Sequence, residues 1–195
     1  MLGQRFAYDF FQIDWSQESG YKWYRSPKWR SRLFGVPLID SICYSQPIYS
    51  PFDAEVVETY DGLKERDPVH FLRDLFSVLK NGLTLNASCN ADLIPALGNY
   101  IILKNHHTYC LIAHAKCGSI KVSTGDKIHT SQKLAEVGHS GNSTAPHLHF
   151  QLMDNPDLLR ANGIPCSFIS YEIHKDGKWT TVRNGVPGRR ERIRA

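Results

Sequence analysis

Apolar and polar residues alternate with a period of two along several short stretches of this chain. Over residues 5–14, Phe6, Tyr8 and Phe10 interleave with Arg5, Ala7 and Asp9. That is the pattern of a half-buried strand, because successive side chains on a strand point to opposite faces. Residues 15–46 lack any such period and read as loop, rich in Trp, Tyr, Ser and Arg with two prolines. Gln46-Pro47-Ile48-Tyr49-Ser50-Pro51 then enters a turn and residues 54–60 alternate again, a strand pair that Asp61-Gly62 closes. Between 68 and 79 the period changes. Val69, Leu72, Leu75, Phe76 and Leu79 recur at helical spacing, with Asp67-Pro68 as a start signal and Asn81-Gly82 as a stop. Further strands are predicted at 100–104, 108–114, 133–137 and 147–153, and Asp176-Gly177 centres a hairpin of 170–173 with 179–182. Short strands at this density, punctuated by Gly and Pro, predict a mainly β fold, an antiparallel β-sheet domain with a short helical insertion near residues 68–80. The expected organisation is one domain over 1–183, with core motifs at 46–153, an insertion over 64–97, a C-terminal hairpin at 168–183 and a basic tail over 184–195.

Composition changes this picture little. A chain of 195 residues can bury one hydrophobic core. Its formal charge of +4 points to no particular partner, because Arg183, Arg189, Arg190, Arg192 and Arg194 crowd into the C-terminal end. Such a run reads as a solvated tail, and no helix is lined with basic residues as a groove reader requires, so no nucleic-acid partner is expected. No apolar run approaches the roughly 18–20 residues of a transmembrane span. Met1-Leu2-Gly3-Gln4-Arg5 leads directly into the first patterned strand, with no stretch resembling a signal peptide. Cys43, Cys89, Cys110, Cys117 and Cys166 are odd in number and contain no C-x-x-C, which argues against a disulfide scaffold or a structural zinc knuckle. Most are expected to act as small buried apolar groups.

The chemistry concentrates in a few places. His147-Leu148-His149 opens an apolar run, and on a strand residues i and i+2 share a face, so the two imidazoles can serve one metal centre. The preceding Gly138-His139-Ser140-Gly141-Asn142-Ser143-Thr144-Ala145-Pro146 is the kind of loop that delivers a functional strand. His114 ends the apolar run 109–113. Taken alone, it reads first as a satisfied boundary residue and second as a catalytic one. Asp9 stands between the aromatics Tyr8 and Phe10, where a carboxylate is costly to bury unless paired or bound to metal. Carboxylate and imidazole together suit zinc.

Over residues 46–150 the chain resembles the lysostaphin-type (LytM-like) zinc endopeptidases, which cleave peptide cross-links of bacterial peptidoglycan. The matching stretches are 46–56, Gly98-Asn99-Tyr100-Ile101-Ile102, Ala113-His114, 122–128 and the block 138–150. The resemblance implies an open-groove β-sheet domain that binds one zinc ion, with His149 and Asp9 as ligands. His147 and His114 would assist near the attacking water and the oxyanion, in an order the sequence leaves open. Asp9 would end the family's H-x-x-x-D motif, but Arg5 stands at the histidine position and the first histidine of the chain is His70. Three explanations are open: a histidine upstream of Met1, a substitute from residues 15–46 or from His106, His107 or His139, or a degenerate site. The expected function is zinc-dependent hydrolysis of peptide bonds in wall cross-links. The alternative is a non-catalytic module that binds peptidoglycan or an envelope partner. The resemblance implies action in the envelope or outside the cell, for which the N-terminus offers no visible route. The groove is expected between residues 15–46, 86–99 and 138–146, with Trp15, Trp23 and Trp29 suited to an extended peptide or a glycan-bearing one.

Overall fold

The protein is described from a computed structural model covering residues 3–16 and 20–194. Early in the chain come β1 (Tyr8–Phe10), β2 (Asp14–Ser16), β3 (Gly20–Lys22), helix α1 (Lys28–Phe34), β4 (Pro47–Tyr49) and β5 (Ala54–Tyr60). Helix α2 (Phe71–Thr84) and the short α3 (Ile94–Leu97) precede β6 (Asn99–Asn105), β7 (Thr108–Ala115), β8 (Lys127–Ile128), β9 (Lys133–Glu136) and β10 (Leu148–Met153). The chain ends with β11 (Gly163–Ile164), β12 (Phe168–Lys175), β13 (Lys178–Gly185) and β14 (Ile193–Arg194).

The main sheet runs β1-β10-β7-β6-β5-β8, with β11 also on β10, and its neighbours are antiparallel. Its middle strands are covered on both faces, which is why residues 100–103 and 110–113 are apolar without alternation. One face packs Ile101, Leu103, Cys110, Ile112 and Phe150 against Val56, Ile128 and Leu134. The other packs Tyr100, Ile102, Leu111, Ala113 and Met153 against Leu93, Leu97 and Leu158. Each fully buried aliphatic side chain contributes about 1.5–3 kcal/mol. This double cover makes β7 and β10 the rigid base of the histidine cluster.

The mainly β, antiparallel expectation holds, but four local expectations change. Residues 46–51 and 54–60 do not pair with each other: β4 pairs with β9 in a separate ribbon, and β5 pairs with β6 and β8. Residues 15–46 contain the β2–β3 ribbon and α1 as well as loop, and residues 17–19 of that stretch lie outside the described residues. Helix α2 runs past Asn81-Gly82, because the Asn81 amide turns inward and donates to Pro95 O (3.0 Å) and Asn142 Oδ1 (2.7 Å), so that tertiary contacts override the local stop. The basic C-terminal run is not simply solvated. Strand β14 pairs with β12, the Arg192 guanidinium lies 4.6 Å from the Trp15 ring and 5.0 Å from that of Trp179, and Arg194 stacks on Trp179 at 4.3 Å. Cation–π attraction draws these arginines back onto the sheet. All five cysteines are free, and of these Cys43 and Cys110 are buried.

Candidate metal centre

Strand pairing assembles the cluster. Asp9 on β1 lies directly opposite His149 on β10, and His149 lies opposite Ala113 on β7. Paired residues project to one face, so Asp9 and His149 meet by register alone. His114, one step beyond Ala113, would point to the other face of a regular strand. Between the pairings Ile101↔Ile112 and Asn99↔Ala115 the partner strand β7 holds an extra residue, and His114 takes φ 63. That bulge brings its ring to 5.8 Å from His149 and 4.8 Å from His147, measured between centroids. A non-glycine residue in the left-handed region is costly and is tolerated where the surroundings hold it. Here Ser140 holds it: Ser140 O accepts from His114 Nδ1 at 2.9 Å, while Ser140 Oγ donates to Ala115 O and accepts the Asn99 N–H. Gly141 is required beside it, because a Cβ at its φ of 66 would collide with the backbone of Gly98.

The hydrogen bonds dictate which nitrogen carries the proton on two of the three imidazoles. Carbonyl oxygens only accept, so His114 Nδ1–H donates to Ser140 O and His147 Nδ1–H to Ala145 O at 2.7 Å. His149 faces an acceptor at each nitrogen, Gln151 Oε1 at 3.0 Å from Nε2 and Asp9 Oδ1 at 2.9 Å from Nδ1, so the single proton of the neutral ring can donate to only one of them. Lone pairs remain on His114 Nε2 and His147 Nε2, and on His149 Nδ1 when the proton of that ring is on Nε2. Asp9 Oδ1 lies 2.9 Å from His149 Nδ1 and 3.5 Å from His147 Nε2. Facing acceptors at such distances repel unless a cation stands between them, either a proton or a metal ion. Two ligands of a tetrahedral zinc, each about 2.0–2.1 Å from the ion, lie roughly 3.3 Å apart. The carboxylate–imidazole pair therefore fits zinc in donor type, and opening its 2.9 Å separation by about 0.4 Å would give the ligand spacing. A complete cage is not preformed: among the described residues no group of three or more His, Cys, Asp or Glu is arranged to hold a metal ion.

The electrostatics match. Burial is the main cause that pushes the pKa of His114 well below its ordinary value, aided by the neighbouring imidazoles. Partial burial works against the Asp9 charge, but a proton on the facing nitrogen of His147 or His149, which adds a hydrogen bond and positive charge, outweighs it and holds the carboxyl far below the usual range. The histidine rings are buried, at 6–8% exposure, whereas the Asp9 side chain is 54% exposed. The sequence expectation that Asp9 is buried between aromatics is thus corrected. Tyr8 and Phe10 point to the opposite face, onto Phe168, and Asp9 faces an open cleft.

Other expected contributors lie elsewhere. Arg5 sits in a 3-10 turn with its guanidinium 5.3 Å from the Phe6 ring. His106 and His107 occupy the β6–β7 turn, at the far end of β7 from His114 and roughly 23 Å along the strand. His139 is buried beside the site but engaged: its Nδ1 is 3.0 Å from Ser143 Oγ and its Nε2 3.3 Å from Asp74 Oδ2. The cleft, about 1390 Å³, is lined by Asp9, Phe11, Trp23, Phe71, Thr144 and Arg192 among others. This cleft borders Asp9 but none of the three histidines, and its walls include the start of α2 and residues 187–193 but none of 86–99. Of the three tryptophans expected in the groove, Trp23 lines it, while Trp15 and Trp29 do not.

The sequence reading missed a polar chain behind His147. Ser143 Oγ lies 3.3 Å from His147 Nδ1 and donates to Ala145 O. Behind it stand His139 and the fully buried Asp74 of α2. Asp74 accepts from Arg66 Nε at 2.8 Å, from Arg73 and from the His70 N–H, and Arg66 also donates to Gly141 O and Ser143 O. The loop 138–146 is clamped to α2 by this network. An acid at an inward helix position was the one sequence signal.

Residues 81–161, which include His114, His147 and His149 but not Asp9, match the model of Peptidase family M23. The match bears out the lysostaphin-type resemblance. The peptidoglycan DD-endopeptidase ShyA of Vibrio cholerae is 32% identical over 59 residues, 30% of this chain and 14% of that protein. An uncharacterized metalloprotease of Buchnera aphidicola is 32% identical over 72 residues, 37% of this chain and 18% of that protein. The matched stretch thus spans less than a fifth of the length of either curated relative. Among solved structures, the catalytic domain of the prophage-encoded M23 protein EnpA from Enterococcus faecalis superimposes with TM-score 0.41 and 17% identity, over 63% of this chain and 68% of that one. The lysostaphin catalytic domain of Staphylococcus simulans gives 0.39 and 16%, over 83% and 90%.

Proposed function

We propose that this chain, which carries the signature of Peptidase family M23 over residues 81–161, is a zinc-dependent endopeptidase acting on peptide cross-links of peptidoglycan. The observation that carries the reading is the convergence of Asp9 Oδ1 and His149 Nδ1 at 2.9 Å, with the other His149 nitrogen pinned by Gln151. Asp9 and His149 are the proposed zinc ligands, and Gln151 orients His149 as outer partners of metal-bound histidines do. Bound zinc would supply a Lewis acid that polarises a peptide carbonyl and acidifies a water. His114 and His147 each present a bare Nε2 and a Nδ1–H tied to a backbone carbonyl, so each can take a proton only at Nε2. One accepts the water's proton and passes it to the leaving amine, and the other steadies the oxyanion once protonated. Phe11 stacks on the His147 ring at 4.9 Å and limits its rotation. The wall substrate is suggested by the relative from Vibrio cholerae, and the aromatic cleft beside Asp9 has room for an extended peptide.

Metal content of the purified chain by mass spectrometry, together with cleavage of cross-linked muropeptides, tests the reading. One zinc per chain and cleavage that chelation removes are expected. A second reading, a module that binds wall peptides without cutting, draws on Arg5 at the position of the first ligand. Muropeptide binding with no zinc and no cleavage would establish it.

A further inference from the structure

Helix α2 turns its polar side inward. Asp74 is fully buried in ion pairs with Arg66 and Arg73, and Asn81 is bonded to the loops beneath. The outward side is apolar: Phe71, Leu72, Phe76, Leu79 and Leu83 are 57–88% exposed. Their spacing places them on a single stripe along the helix. On α1, Trp29, Leu33 and Phe34 are exposed too. The bridge between Val36 and Val69 joins the chain just after α1 to the chain just before α2. Exposed apolar area of this extent marks an interaction surface.

Charge identifies what covers it. The two helices carry Lys28, Arg30, Arg32, Arg73 and Lys80, and Asp74, their single acid, is buried. The rim is therefore of one sign. A second copy would set Lys28, Arg30, Arg32 and Lys80 against each other with no exposed carboxylate on either helix to offset them, whereas a lipid surface bearing anionic headgroups satisfies both the stripe and these cations. We infer that α1 and α2 dock this protein onto an anionic lipid bilayer surface. The apolar stripe enters the headgroup–acyl boundary, Trp29 sits at headgroup level, and Lys80 reaches up to phosphate while its stem lies along the stripe. Among the described residues no helix is long and apolar enough to cross the bilayer, so the contact is peripheral. Phe71 and Leu72 also line the cleft beside Asp9, and docking sets that cleft at the membrane surface. The inference does not depend on zinc or on cleavage.

Co-sedimentation of the full chain with vesicles of phosphatidylcholine alone, and with added phosphatidylglycerol, tests it. Partition onto the anionic vesicles at least about tenfold above the neutral ones is expected, falling with salt. Each Arg30→Gln or Arg32→Gln exchange should lower it about fivefold, and Leu79→Glu with Leu83→Glu about tenfold or more. Both leucines are solvent-exposed and lie outside the cleft, so an unchanged melting temperature and zinc content separate a docking defect from a folding or site defect. Absence of binding to anionic vesicles overturns the inference, and so does binding indifferent to the leucine exchanges. A concentration-dependent dimer that the same exchanges dissolve, without vesicle binding, would assign the face to a second copy instead.

Discussion

Strand β7 and helix α2 both carry strong apolar patterns, and they use them in opposite ways. In β7 the run 110–113 is buried on both faces and holds His114 rigidly at its end. In α2 the apolar stripe faces outward, and the inward face holds the Asp74 carboxylate and the Asn81 amide. The lesson is that periodicity reports where an apolar face lies on an element, not what covers it. An amphipathic helix is equally satisfied by a core and by an external apolar phase. The two regions are nevertheless coupled, because the inward polar side of α2 clamps the loop that precedes His147.

The sharpest test of this contrast is stability. Leu103→Ala, at a fully buried position, should cost about 2–5 kcal/mol in denaturant unfolding. Leu79→Ala on the exposed stripe should change it by no more than about 0.5 kcal/mol. Comparable losses in the two would mean that the α2 stripe is covered within this chain.

The inward side of α2 should make stability acid-sensitive. Burial lowers the His139 pKa from 6.5 to about 4, and the Asp74 charge only partly opposes this. The unfolded chain therefore binds the extra proton first. Stability is complete above about pH 6.5 and is lost as pH falls toward 4, by up to about 3 kcal/mol. Burial of His114 adds to the same slope. His139→Gln should flatten it measurably between those limits in urea midpoints, and an unchanged slope would remove His139 from the account.

At the site the expected difference is about a hundredfold in metal affinity. His149→Ala and Asp9→Asn should each weaken zinc binding by at least that factor, beyond the roughly 10- to 100-fold typical of losing an outer partner. His147→Ala should retain most of the metal while losing cleavage. Equal metal loss in His147→Ala would make that imidazole, 3.5 Å from Asp9, a third ligand.

The smallest effect concerns the chain linking the two regions. Ser143→Ala removes the hydroxyl between His139 and His147, and a lost hydrogen bond of this kind costs about 1 kcal/mol. A several-fold fall in kcat with KM and zinc content unchanged is expected. A fall in zinc content would instead tie Ser143 to the metal.

The sequence by itself determined the class of fold, the strands 100–104, 108–114 and 147–153, and the residue types of the site. These are local signals: a period of two, an apolar run, and two histidines two residues apart. Even Asp9 was legible, although for a burial it does not have. Only the tertiary structure decided the rest. It paired β4 with β9 instead of β5, moved His114 onto the face of His149 through one extra residue in β7, and drew the terminal arginines onto Trp15 and Trp179. It also turned the apolar side of α2 to the outside and set Asp74, His139 and Ser143 in line behind His147. Each of these depends on which distant segment satisfies a given backbone edge, charge or apolar face. That choice is settled by competition among all the contacts of the folded chain, and no window along the sequence contains it.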